Sequence, residues 1–74
     1  MLPKVPSEVL DKLRNSGQSP PWKCKLQLRR GRTVFGVEIN ATGEITNVGG
    51  RAIYSASDIS FGTGAIEDVT LYPE

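Results

Sequence analysis

The chain of 74 residues has no histidine, a single cysteine (Cys24) and a single tryptophan (Trp22). One cysteine excludes an internal disulfide framework. Without an imidazole, Cys/His zinc sites and the serine or cysteine triads that depend on histidine are excluded as well. No run of about 18 apolar residues is present, so no membrane span is expected. The opening Met1-Leu2-Pro3-Lys4-Val5-Pro6 lacks the apolar stretch of a secretory signal. A lone thiol suits a reducing compartment, and a cytoplasmic location is the expectation. Asn40-Ala41-Thr42 matches a glycosylation acceptor, but without a secretion signal the match is read as chance.

What is present is an ordinary globular composition, 38% apolar and 23% charged. The length fits one domain, over residues 1–74. A chain this short buries only about 60% of its unfolded surface, and small domains usually add disulfides, metals or partner subunits. With the first two removed, a homo-oligomer is expected. The net charge of +1 conceals a division, for residues 1–36 carry +6 and residues 37–74 carry −5. Such a split fits either a basic face for polyanions or two halves that attract one another, within or between chains.

A short helix is expected over about residues 7–15, with Ser7 as its N-cap. Glu8 and Asp11 precede Lys12 and Arg14, the order that the helix dipole favours. Val9, Leu10 and Leu13 share one face, and Gly17 ends the helix in a left-handed conformation. Residues 17–21 then form a linker, extended by Pro20 and Pro21.

From Trp22 the period changes to two. Trp22, Cys24, Leu26 and Leu28 alternate with Lys23, Lys25, Gln27 and Arg29, as in a strand with one buried face. A turn at Arg30-Gly31 leads into a second strand, Thr33 to Ile39. With a two-residue loop pairing Arg29 and Arg32, Leu26 faces Phe35, Cys24 faces Val37 and Trp22 faces Ile39. Lys23 then lies opposite Glu38. Arg-Gly is a weaker turn signal than Asn-Gly, and a bulged variant stays open.

Ala41-Thr42-Gly43 is a second turn, and Glu44 to Val48 a third strand in which Ile45 and Val48 need a bulge to share a face. Gly49-Gly50 bends the chain into a fourth strand, Arg51 to Ala56. A 3₁₀ turn at Ser57 to Ser60, a loop over Phe61 to Gly64 and a last strand, Ile66 to Tyr72, follow. The expected fold is mainly β: a short N-terminal helix, then a five-stranded, strongly bent antiparallel sheet closing into a small barrel over residues 22–73. Closure would remove exposed edge strands.

The helix around Val9 to Arg14 and the hairpin Leu26 to Gly36 make the chain resemble the Sm-like small barrels, and SH3-like barrels more generally. Gly31 and Gly36 match that group's turn glycine and its second glycine where the strand bends, and Ile66-Glu67-Asp68-Val69 looks like its closing strand. The resemblance implies a small barrel, ring assembly and RNA contact. Two features depart from the pattern. Asn40 and Asn47 are the only candidates for the group's base-binding loop, and its late arginine-glycine pair appears only as the reversed Gly50-Arg51.

The strongest functional feature is basic. Lys23, Lys25 and Arg29 line one strand face, Arg30 and Arg32 flank the turn, and Arg51 follows later. Charges two residues apart on a strand, about 6.6 Å, can follow a phosphate backbone. The bland alternative is that they solvate the sheet or pair with Glu38, Glu67 and Asp68. Trp22 and Phe35 fall on the expected core face, which leaves Tyr54 and Phe61 as candidates to stack on bases. Gly62-Thr63-Gly64 lacks the lysine of a P-loop and reads as a turn. Glu67 and Asp68 should point to opposite faces, and Cys24 inward with no base to activate it. No catalytic residues, metal or cofactor are expected. The function expected is a non-enzymatic binding module contacting RNA or DNA, or alternatively a structural or protein–protein interaction module.

Overall fold

Residues 1–73 are described by a computed structural model, and their first regular element is α1, Ser7–Arg14. Val9, Leu10 and Leu13 are its buried residues, the stripe that helical spacing requires. Its N-cap is Pro6, not Ser7, and no side chain caps the first turn. The proline ring fixes φ at −58°, and the Pro6 carbonyl accepts the amides of Val9 and Leu10, so Ser7 is already helical. Ser16 Oγ donates to the Leu13 carbonyl at 2.6 Å and accepts the Gln18 amide, which closes the C-terminal end. Gly17 takes the expected left-handed φ of +86°. The linker does not run extended: the Pro20–Pro21 peptide is cis and the chain bends there.

Strands β1 (Trp22–Leu28) and β2 (Thr33–Ile39) form the expected hairpin with a different turn. The Leu28 amide donates to the Arg32 carbonyl at 2.7 Å and the Gly31 amide to the Leu28 carbonyl at 3.1 Å, so the loop has three residues. A two-residue loop of the hairpin type would require positive φ at Arg30 as well as Gly31. In the three-residue loop only Gly31 pays that conformational cost, at φ +79°. The longer loop shifts the first pairs to Gln27–Thr33 and Leu26–Val34. A bulge at Phe35–Gly36 then restores Cys24–Val37, Lys23–Glu38 and Trp22–Ile39, the pairs expected from the pattern. Phe35 is therefore not in the core. Val34 takes its place opposite Leu26, and Phe35 is 60% exposed.

β3 is Ile45–Val48, and its register against β2 shifts between Glu38–Asn47 and Ile39–Ile45, the bulge that its parity demanded. Gly49 and Gly50, both with positive φ, turn the chain into β4, which is only Arg51–Ala52. The fourth strand stops early because Asp58 Oδ2 accepts the amides of Tyr54 (2.8 Å) and Ser55 (3.1 Å). That capture curls the chain into a 3₁₀ turn at Ala56–Asp58, slightly before the expected one. A second 3₁₀ turn, Thr63–Ala65, occupies the glycine loop and leads into β5, Ile66–Leu71.

The five antiparallel strands lie in the order β4-β3-β2-β1-β5. No ladder joins β4 to β5 among the described residues, so hydrogen bonds do not close the sheet. The N-terminal segment lies along the start of β3, with the Val5 amide on the Gly43 carbonyl and the Ile45 amide on the Pro3 carbonyl, both at 2.9 Å. Trp22, Cys24, Leu26 and Leu28 of β1 are buried against Val37, Ile39, Ile45, Ile53, Ile66, Val69 and the helix stripe. Trp22 keeps its indole N–H satisfied by donating to the Gln18 carbonyl at 3.0 Å. No helix of the described residues is long and apolar enough to cross a membrane.

Candidate anion-binding face

The expected basic residues separate into two groups. Lys23 and Lys25 lie on the outer face of β1, Lys23 across from Glu38 and Lys25 across from Thr70. Lys23, Glu38, Asn47 and Tyr72 line a hollow of about 290 Å³ there. The exposed Phe35 projects from the bulge that separates the Cys24 and Leu26 pairings, the stretch of β2 beside Lys25. An aromatic residue assigned to the core by periodicity alone is thus exposed, on the stretch of β2 that lies across from Lys25.

The arginines gather at the other end of β1. Arg29 and Arg30 occupy the hairpin loop, and Arg32 follows Gly31. The loop is braced from β5's side, for the Arg29 amide donates to the Ala65 carbonyl at 3.0 Å and Arg29 Nε to the Gly64 carbonyl at 3.4 Å. Arg32 donates a guanidinium N–H to Ser60 Oγ at 3.0 Å. The Gly62 to Gly64 loop thus turns one carbonyl, that of Gly64, toward the Arg29 guanidinium.

Arg51 arrives from β4 on the far side of a cleft of about 440 Å³ that it shares with Arg32. Val34, Val48, Ile59 and Phe61, all half-buried, also line this cleft. Phe61 and Arg32 line in addition an adjoining hollow of about 430 Å³ beside Arg29 and Arg30. Phe61 is the stacking candidate that the fold brings to the arginines. Tyr54 is 81% exposed and lines none of these hollows.

The basic residues of β1 and its hairpin do not form the ion pairs with Glu38, Glu67 and Asp68 that one form of the bland alternative expects. Among the described residues one ion pair forms, Lys12 Nζ to Asp68 Oδ1 at 2.5 Å, and it ties α1 to β5. That contact and the Val69 amide hold the Asp68 carboxyl below its ordinary range. Glu67 and Asp68 do not face opposite ways. The register shift between Gln27–Asp68 and Leu28–Ile66 makes Glu67 an extra residue, and both carboxylates are exposed. Asp58 is occupied by its own turn.

Asn40 is consumed locally: its Oδ1 accepts the amides of Thr42 and Glu44, and its Nδ2 donates to Glu44. The hydrogen bonds from Asn40 and Thr42 hold the Glu44 carboxyl below its usual range. Asn47 sits apart, in the hollow with Lys23. Cys24 is fully buried, and desolvation pushes its thiol up to about 12. No group of three or more metal-ligating side chains occurs among the described residues.

Pattern reading missed Val34, Val48, Ile59 and Ser60 as cleft residues. Counting three loop residues would have turned Val34 to the inner side. No local signal marks Ile59 and Ser60, which reach Arg32 only because Asp58 curls the chain back. No family model, curated protein or solved structure matches the chain.

Proposed function

We propose that this chain is a non-enzymatic small-barrel module of the Sm-like kind, assembled as a homo-oligomer, that contacts RNA or DNA backbone through its basic hairpin. One observation carries the reading. Arg29, Arg30 and Arg32 at the loop and Arg51 across the cleft have no carboxylate partner among the described residues. Charges held out in this way are free to neutralise phosphates and release counterions. Phe61, between the two hollows, offers a flat apolar surface beside them. Lys23 and Lys25 extend the charge along β1.

A second reading has its own support. Phe35 is exposed beside Lys25, and an aromatic with a neighbouring cation is also what a protein interface uses. In that reading the basic half meets the acidic half of another copy or of a partner. Substituting Lys25 and Arg29 together by alanine separates the two. Loss of binding to a labelled oligonucleotide, with the mass by light scattering unchanged, supports the nucleic-acid role. A broken oligomer with oligonucleotide affinity intact makes those charges interfacial.

A further inference from the structure

We propose that the cleft between Arg32 and Arg51 is a site for a small aromatic anion, a negatively charged group carried on a flat apolar body. This goes beyond backbone contact, because a phosphodiester chain needs only exposed charge and leaves an apolar floor uncovered. The floor here is Val34, Val48, Ile59 and Phe61, each half-buried and packed on the core. The volume of about 440 Å³ lies in the range of small-molecule sites, roughly 300–1,000 Å³.

Both charged groups of the lining that remain unengaged by a counter-charge are arginines. Asp58 is the only acid there, and its Oδ2 is turned to the amides of Tyr54 and Ser55. Ser60 Oγ accepts from Arg32 and holds its guanidinium at the rim, so part of the ordering cost of binding is already met. Guanidinium groups bind carboxylates or phosphates by paired N–H donors. Together, an apolar floor and two unopposed arginines complement an anion with an aromatic body, and neither a bare anion nor a neutral hydrocarbon matches both.

The test is an amide-shift titration of the ¹⁵N-labelled chain with 2-naphthoate and with its neutral counterpart, 2-naphthalenemethanol. Saturable shifts at Val34, Val48, Ile59 and Phe61 are expected with naphthoate, and the alcohol should bind roughly tenfold more weakly, the loss of one charge-assisted contact. R51Q, at an exposed position, should weaken naphthoate by roughly the same factor. V48F fills the cleft and should abolish the shifts while its spectrum stays folded; if V48F unfolds, R51Q decides alone. Equal affinity for the two compounds, no effect of R51Q, or shifts centred on Lys23 and Phe35 would overturn the proposal. None of these results depends on oligonucleotide binding.

Discussion

The amide of Gly49 donates to the carbonyl of Gly36 at 3.0 Å, joining the bulge of β2 to the turn after β3. A Cβ built on Gly36 would lie 3.1 Å from the Gly49 Cα, and Gly36 has a φ of +66°. Both facts make this glycine the point where β2 and the turn after β3 approach most closely, and a Cβ there fits only if the Gly49 backbone moves.

Gly36→Ala should therefore cost about 2 kcal/mol or more, the left-handed penalty plus a backbone displacement. Gly31→Ala is the control, since φ is +79° but nothing lies within 4 Å of its Cβ position. It should cost only about 1 kcal/mol. Urea midpoints measure both, and equal losses would remove the steric part of the explanation.

Tyr72 reaches the same bulge from beyond β5, its hydroxyl accepting the Gly36 amide at 2.9 Å. Tyr72→Phe leaves a part-buried amide without a partner and should destabilise by about 1–2 kcal/mol. Tyr54→Phe, at an exposed ring, should change the midpoint by less than about 0.5 kcal/mol.

How much of this was legible in the residue order depends on the element. The alternation of Trp22, Cys24, Leu26 and Leu28 and the stripe Val9, Leu10, Leu13 found their core positions directly, because burial imposes its period on those positions. Phe35 did not, because parity counted from the turn fails when the loop gains a residue and a bulge absorbs it two positions later. The fourth strand was read too long because a side chain, Asp58, takes amides that a ladder would use. Arg51 could be named as a charge and the reversal at Gly49-Gly50 was legible, but the place of Arg51 in a cleft with Arg32 and Ile59 also depends on the turn that Asp58 makes, which no spacing encodes.

Burial pushes the Cys24 thiol to about 12 from a thiol's ordinary 9.0. Because the folded value is raised, the unfolded chain binds fewer protons between these limits, and stability falls as pH rises from about 9 towards 12. Below pH 9 the contribution is fully present. Urea midpoints of the wild type should decline over that window more steeply than those of Cys24→Ala. A thiol reagent at neutral pH should label Cys24 only after denaturation, and rapid labelling of the native chain would contradict its burial.

Lys12 and Asp68 are both about half exposed, at 57% and 51%, and such a pair contributes little, about 0.5 kcal/mol. The Asp68 value is lowered in the folded state, so that contribution is present above the ordinary carboxylate value of 3.8 and is lost as pH falls through the lowered one. Lys12→Met should thus be slightly less stable than the wild type at neutral pH and indistinguishable from it in strong acid.

The most direct test of backbone binding is the salt dependence of oligonucleotide affinity, followed by fluorescence anisotropy. With Arg29, Arg30, Arg32 and Arg51 each neutralising one phosphate of a duplex, log K should fall against log salt with a slope of about −3.6. Substituting Arg30 by Gln should reduce that slope by about 1. A flat dependence, or a steep one that the Arg30 variant leaves unchanged, would contradict the assignment of the arginine end as the nucleic-acid face.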